Sequence, residues 1–181
     1  DSSTLSDNSV SALLIDKNGT LWVGTKYGLN RLNEGSSQFT RYFSNPLVAD
    51  SLSNNNVSSL YEDREGVLWV GVWGLGVNKH SPAQDKFILY RHDPENPQGI
   101  PFDGLFGMAA DPSGIAWLGT SGSGLVRFDP VTGQTTRYQT KPDDRNSLAN
   151  QNVWSVYRDR KGVLWVGTSY GLDQMDERAG K

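Results

Sequence analysis

One seven-residue stretch is written four times in this chain. Gly19-Thr20-Leu21-Trp22-Val23-Gly24-Thr25 returns as Gly66-Val67-Leu68-Trp69-Val70-Gly71-Val72, as Gly114-Ile115-Ala116-Trp117-Leu118-Gly119-Thr120 and as Gly162-Val163-Leu164-Trp165-Val166-Gly167-Thr168. The tryptophans stand 47, 48 and 48 residues apart, a period that suits one supersecondary unit of a repeat protein. Units of this size do not bury their apolar faces alone and must cover one another.

The residues around each copy read as strands. In the first unit Val10-Ser11-Ala12-Leu13-Leu14-Ile15 is a short apolar run, ended by Asp16-Lys17-Asn18-Gly19 ahead of the Trp segment. That pattern predicts strand, tight turn, strand, with Asp bonding the turn backbone and Gly supplying positive φ. The turn recurs as Asp63-Arg64-Glu65-Gly66, Asp111-Pro112-Ser113-Gly114 and Asp159-Arg160-Lys161-Gly162. After a second corner, Lys26-Tyr27-Gly28 in the first unit, a third strand follows at Leu29-Asn30-Arg31-Leu32, with counterparts at Val77-Asn78-Lys79, Leu125-Val126-Arg127-Phe128 and Leu172-Asp173-Gln174-Met175. A fourth strand alternates apolar and polar residues, as in Phe39-Thr40-Arg41-Tyr42-Phe43, Phe87-Ile88-Leu89-Tyr90 and Thr135-Thr136-Arg137-Tyr138, which suits an outer strand half in water.

Polar segments 44–56, 92–104 and 140–152 separate the units. Each need only cross a four-stranded sheet, roughly 15 Å wide at about 4.8 Å per strand, to carry the chain from the outer edge of one sheet to the inner edge of the next. Four antiparallel strands per period, with no helical periodicity, predict an all-β fold, a β-propeller of four-stranded antiparallel blades. A stacked solenoid is the rival, but its coils are usually shorter and lack hairpin-linked strands. The blade repeats fall near 5–43, 52–91, 100–139 and 148–175, in a single propeller segment over 1–181. The last repeat stops after its third strand and residues 1–4 do not read as a spare outer strand, so about four blades are present, expected to be part of a larger propeller.

Composition narrows the function. A net charge of −3 with both signs interspersed gives no basic stripe for nucleic acid and no polybasic surface for anionic lipid. Without cysteine there is no disulfide, thiol chemistry or cysteine-ligated metal. No apolar run approaches the roughly 18 residues of a membrane span, and residues 1–20 lack a signal-peptide pattern, so either feature would belong to a longer parent protein. The turn Asp16-Lys17-Asn18-Gly19 lacks the further acidic ligands of a calcium loop. His80 and His92, the only histidines, stand at neither nucleophile nor metal-ligand spacing and are expected on the surface. No cofactor and no metal are expected.

Trp22, Trp69, Trp117 and Trp165 share one repeat position, as packing between adjacent sheets demands, and Gly24, Gly71, Gly119 and Gly167, two residues on, allow close approach. Two tryptophans break the pattern. Trp73 stands at the second corner where other copies carry Lys26, Ser121 and Ser169, in a copy with an extra residue there, and Trp154 replaces Ser11, Ser58 and Phe106 near the start of an inner strand. In a propeller the second corner and the crossings share the face that binds ligands at the axis. Each of these tryptophans reads either as a platform for a sugar ring or as an extra packing aromatic. Asn8, Asn55, Asp103 and Gln151 share a position on the same face and either bind hydroxyls or cap their own loops. Lys26, Tyr27 and Tyr170 belong there too.

The pattern Val-x-Ser-Leu-x-x-Asp-x-x-Gly-x-Leu-Trp-Val-Gly-Thr-x-x-Gly-Leu, nearly whole at 57–72 and 153–172, resembles the two-component regulator propeller repeat, over roughly residues 5–175. The third copy departs most, with Phe106-Gly107-Met108-Ala109-Ala110 in its inner strand and Ala116 for Leu. The resemblance implies a periplasmic sensor module of a bacterial membrane signalling protein whose output is a histidine kinase or diguanylate cyclase. It implies a small-molecule or glycan ligand, no enzymatic activity, and a homodimeric parent. The expected partners are the rest of the propeller or a second copy, with no nucleic acid and with the membrane reached only through parts not present here. The alternatives are a propeller lyase resembling the virginiamycin-inactivating type, which needs a metal or a His-centred acid–base pair on the axial face, and a protein–protein interaction platform.

Overall fold

A computed structural model describes residues 3–81, 85–101, 103–111, 113–177 and 179–180. Pro112 of the third hairpin turn, together with residues 1, 2, 82–84, 102, 178 and 181, lies outside the described residues. Every regular element among the described residues is a strand: β1 (Val10–Ile15), β2 (Leu21–Thr25), β3 (Gly28–Leu32), β4 (Phe39–Tyr42), β5 (Val57–Glu62), β6 (Leu68–Val72), β7 (Val77–Ser81), β8 (Lys86–Tyr90), β9 (Leu105–Ala110), β10 (Ala116–Thr120), β11 (Leu125–Phe128), β12 (Thr135–Tyr138), β13 (Val153–Arg158), β14 (Leu164–Thr168) and β15 (Gly171–Met175). They form sheets ordered β1-β2-β3-β4, β5-β6-β7-β8, β9-β10-β11-β12 and β13-β14-β15, all antiparallel between sequence neighbours. This is the meander of a propeller blade, with three strands of the fourth blade among the described residues. Two compact units divide the chain, Asp1–Tyr90 with the first two blades and Arg91–Lys181 with the other two.

The hairpin turn is built by one carboxylate. Asp16 Oδ1 accepts the amides of Asn18 and Thr20 at 2.9 and 2.8 Å, while Oδ2 accepts the Trp22 indole N–H at 3.0 Å. The same Asp-to-Trp bond recurs from Trp69 to Asp63 at 2.9 Å and from Trp165 to Asp159 at 3.2 Å. The turn glycines Gly19, Gly66, Gly114 and Gly162 all sit at φ of 82–86°, which a side chain would strain. In the third blade Asp111 serves Ser113 and Ile115, and the buried Trp117 indole N–H has no partner.

In the first unit, β5 packs across β1 and β2. Trp22, Leu29, Val57, Leu68, Val70 and Phe87 form the buried core there, each fully buried aliphatic contributing about 1.5–3 kcal/mol. At its outer end the Trp22 ring stacks on Tyr42, and both pack with His80, whose Nε2 lies 2.9 Å from Asp85 Oδ1. His80 is thus 2% exposed rather than at the surface. The hairpin β7–β8 folds it inward beneath the aromatic residues of the preceding blade. His92 is half-buried, its Nδ1 2.9 Å from the Ile100 carbonyl. Burial alone would raise the Asp85 carboxyl, yet hydrogen bonds from His80 and Tyr42 hold it below the usual range. Burial pushes the Tyr42 hydroxyl well above its usual range, and the neighbouring Asp85 adds to that shift.

In the second unit β13 packs across β9 and β10 in the same way. Polar side chains of the third strands, buried at Asn30 and Asn78 and half-buried at Asp173, hold the segments that lead into the first, second and fourth blades: Asn30 Oδ1 accepts the Ser6 amide at 2.8 Å, Asn78 Oδ1 the Ser53 amide at 3.1 Å and Asp173 Oδ2 the Ala149 amide at 3.0 Å. In each unit the crossing then runs along the outer strand of the blade it enters. The amides of Phe39, Phe87 and Thr135 donate to the carbonyls of Ser3, Asp50 and Gln98 at 2.8, 3.0 and 2.7 Å.

Candidate functional site

The second corners are held rigidly by main chain. The amides of Lys26, Trp73, Ser121 and Ser169 donate to the carbonyls of Ser9, Asn56, Gly104 and Asn152 at 3.1, 3.0, 3.0 and 3.1 Å. Each corner side chain therefore projects from a fixed point beside the start of its own inner strand. Main chain also joins successive blades here: the Gly28 amide donates to Asn55 O at 2.7 Å, and the Gly124 amide to Gln151 O at 3.0 Å.

In the second unit this end of the sheets carries a connected polar and aromatic group. Phe106 and Trp154, the second residues of β9 and β13, face each other with ring centroids 4.6 Å apart and planes tilted by 47°. Trp154 is 51% exposed, and its indole N–H donates to Ser169 Oγ at 2.8 Å, which fixes the ring. Tyr170 follows Ser169 and is 80% exposed. An antiparallel bridge joins Ser121 to Asn152 just before β13, and Ser121 Oγ accepts the Gly104 amide at 3.1 Å. Beside Gly104, Asp103 is half-buried and holds its Oδ2 out of water with no hydrogen-bond partner. A carboxylate oxygen so placed carries a desolvation cost that no hydrogen bond offsets. Gln151 is exposed and contributes its carbonyl to Gly124.

The first unit presents a second aromatic cluster at the corresponding end. Tyr27 packs on Phe43 with centroids 5.9 Å apart, and both are open to solvent. Trp73 is 48% exposed on a corner that turns through Gly74 and Gly76 at positive φ. The third blade has the same four-residue corner, Ser121 to Gly124, so the extra residue is not peculiar to Trp73. Lys26 is exposed beside Tyr27. Asn8 is exposed, its carbonyl accepting the Val10 amide at 3.2 Å. Asn55 Oδ1 is spent on the Ser44 amide at 2.6 Å, a cap on its own crossing.

The two clusters add residues that were not singled out from sequence. Phe106 and Ser169 join Trp154, and Phe43 joins Tyr27. The signal for Phe106 was present, since it occupies Trp154's own repeat position one period earlier. In the first unit that position holds serines, and Ser11 Oγ bonds the carbonyls of Gly24 and Val57 at 3.1 and 2.5 Å. Among the described residues no group of three or more His, Asp or Glu is gathered closely enough to hold a metal ion.

Comparison with known proteins agrees with the blade pattern. Residues 4–27, 51–74 and 147–170 match the family described as two component regulator propeller. No curated protein matches the chain in sequence. Among solved structures, the chain is similar to the extracellular domain of a putative hybrid two component system from B. thetaiotaomicron, with a TM-score of 0.79 at 23% identity over 94% of this chain and 22% of that one. A second such domain from the same organism gives 0.74 at 21% identity, over 99% of this chain and 30% of that one. Virginiamycin B lyase from Staphylococcus aureus gives 0.70 at 14% identity, over 99% of this chain and 56% of the lyase. The chain thus spans under a third of the length of the two B. thetaiotaomicron domains, and these likenesses establish the propeller fold.

Proposed function

We propose that this chain, which carries two component regulator propeller repeats, is part of an extracytoplasmic ligand-sensing propeller in a bacterial membrane signalling protein, and that its second unit contributes a ligand subsite. The observation that carries this reading is the Phe106–Trp154 pair, half-buried at Phe106 and exposed at Trp154, with the indole pinned by Ser169. A fixed aromatic face beside exposed polar side chains such as Gln151 suits the apolar face and hydroxyls of a carbohydrate, which needs stacking and directional bonds together. The likeness to extracellular domains of two component systems supports an extracytoplasmic setting; a periplasmic location, a kinase or cyclase output elsewhere and a dimeric parent are part of the proposal itself. Binding would signal by favouring one of two states through differential affinity.

A lyase is the weaker reading. Its acid–base chemistry would fall to a histidine, and His80 is buried against Asp85 at the outer end of its blade while His92 is engaged with Ile100. A protein-binding platform would use the same exposed aromatic residues. A thermal-shift screen of oligosaccharides with the 181-residue chain tests the proposal, since a ligand that binds the folded state raises the melting temperature. Stabilisation that disappears in Trp154→Ala and Phe106→Ala supports it; a hit untouched by both substitutions moves the site elsewhere.

A further inference from the structure

All four inner strands break their ladder at one place. Val10 pairs with Thr25 and Ala12 with Gly24, so Ser11 is an extra residue set against consecutive partners. The same step passes over Ser58 between Val57 and Ser59, Phe106 between Leu105 and Gly107, and Trp154 between Val153 and Ser155. Each is a β-bulge, whose extra residue is left out of the pairing and whose side chain is re-aimed. The residue before it stays in the core, and Val57, Leu105 and Val153 are fully buried. The bulged residue itself is exposed or only half-buried in every blade.

A side chain outside the ladder can change while the ladder stays as it is, and this position runs Ser11, Ser58, Phe106, Trp154. On the ligand-sensing reading, we infer that the bulged residue is the specificity-determining position of each blade. The two bulges of a unit make one subsite, which takes the ring of a saccharide where both residues are aromatic and takes none where both are serine.

The chain holds both settings. In the second unit the Phe106 and Trp154 rings face each other at 4.6 Å between centroids, and the indole is fixed by Ser169, the corner residue of its own blade. In the first unit Ser11 Oγ bonds the carbonyls of Gly24, on its own Trp-bearing strand, and of Val57, the residue just before the neighbouring bulge. That hydroxyl is turned onto main chain. A fixed ring pair offers a stacking face to the apolar side of a sugar, whereas a serine bound to carbonyls offers none. The backbone device is common to both settings: Gly24, Gly71, Gly119 and Gly167 stand opposite the residue after each bulge, so the facing strand adds no side chain there.

The test exchanges the two settings. Cellohexaose, xylohexaose and maltohexaose are titrated calorimetrically into the 181-residue protein, into Phe106→Ser/Trp154→Ser and into Ser11→Phe/Ser58→Trp. Hydrogen exchange across β9–β10 and β13–β14 is read in parallel. The expected result is one equivalent of at least one hexaose on the parent chain, affinity lowered at least about tenfold in the double serine variant with its ladders still protected, and two equivalents on the double aromatic variant. Binding that survives Phe106→Ser/Trp154→Ser, or loss of ladder protection in that variant, overturns the inference and leaves the sensing reading standing. A folded Ser11→Phe/Ser58→Trp variant that still takes one equivalent overturns it equally, and if that variant fails to fold the double serine variant decides. A parent chain that binds none of the three hexaoses overturns the saccharide reading and the inference together.

Discussion

The Cβ that Gly24 lacks would stand 2.6 Å from Cγ1 of Val57, so the repeat's second glycine exists to let the next inner strand press against the Trp strand. The second unit repeats the arrangement at Gly119, where an added Cβ would meet Val153 Cγ1 at 2.8 Å.

Gly24→Val should therefore destabilise by about 1–3 kcal/mol or more, because the blade must shift or Val57 must leave its rotamer. Gly167→Ala should cost well under that, because the added methyl would meet only the Ser155 hydroxyl of its own blade, which can rotate away. Urea midpoints of the two variants check the contrast; equal losses would show that the glycines are retained for another reason.

Trp117→Phe should be tolerated better than Trp22→Phe by about 1 kcal/mol. The first removes an indole N–H that bonds nothing, and the second breaks the 3.0 Å bond to Asp16 Oδ2. Calorimetric melting of the two single variants decides the point.

Acid should loosen the hairpin turns. Burial acts to raise the Asp16 carboxyl, but the Trp22 indole and the Thr20 and Asn18 amides outweigh it and hold the group below its ordinary value. Asp159 is lowered too, chiefly by its Trp165 bond. With the folded-state values depressed, this stabilisation is present above the unfolded carboxylate range, about pH 4, and is lost as pH falls through the folded values. Asp16→Asn should cost about 1–2 kcal/mol at pH 7, because an amide NH₂ would confront the indole donor. The gap between variant and parent should narrow at pH 2–3; urea titrations at both pH values measure it.

Leu29 is 0% exposed and Leu172, its counterpart in the fourth blade, is 66% exposed. Leu29→Ala should cost about 2–5 kcal/mol, and Leu172→Ala within about 0.5 kcal/mol of nothing. If Leu172→Ala proves as damaging as Leu29→Ala, that face is covered in solution.

The strand order of each blade was legible because Asp, Gly and Trp recur at fixed spacing, and β1, β11 and β12 span the residues read from sequence. The burial of His80 was not legible. It depends on Tyr42 and Trp22 of the preceding blade lying over it, a relation that no local pattern records. Asn30 and Asn78 passed for ordinary strand residues, though both are fully buried and each hydrogen-bonds the crossing that enters its blade. At the candidate site the odd tryptophans stood out by breaking the repeat. Phe106 did not, because pairing it with Trp154 requires knowing that residues one period apart lie on neighbouring inner strands.

Each crossing meets the outer strand of the blade it introduces, and that contact has a consequence for synthesis. The carbonyl of Asp50 leaves the ribosome 37 residues before the Phe87 amide that binds it (87 − 50), and Gln98 precedes Thr135 by the same interval (135 − 98). At about 5–20 residues per second each such group waits roughly 2–7 s, hydrated, for its partner to be translated. Blades are therefore completed one at a time, in the rhythm of the ribosome, and a pause placed within the last few codons of a period would leave one rim open while every earlier blade is already shut.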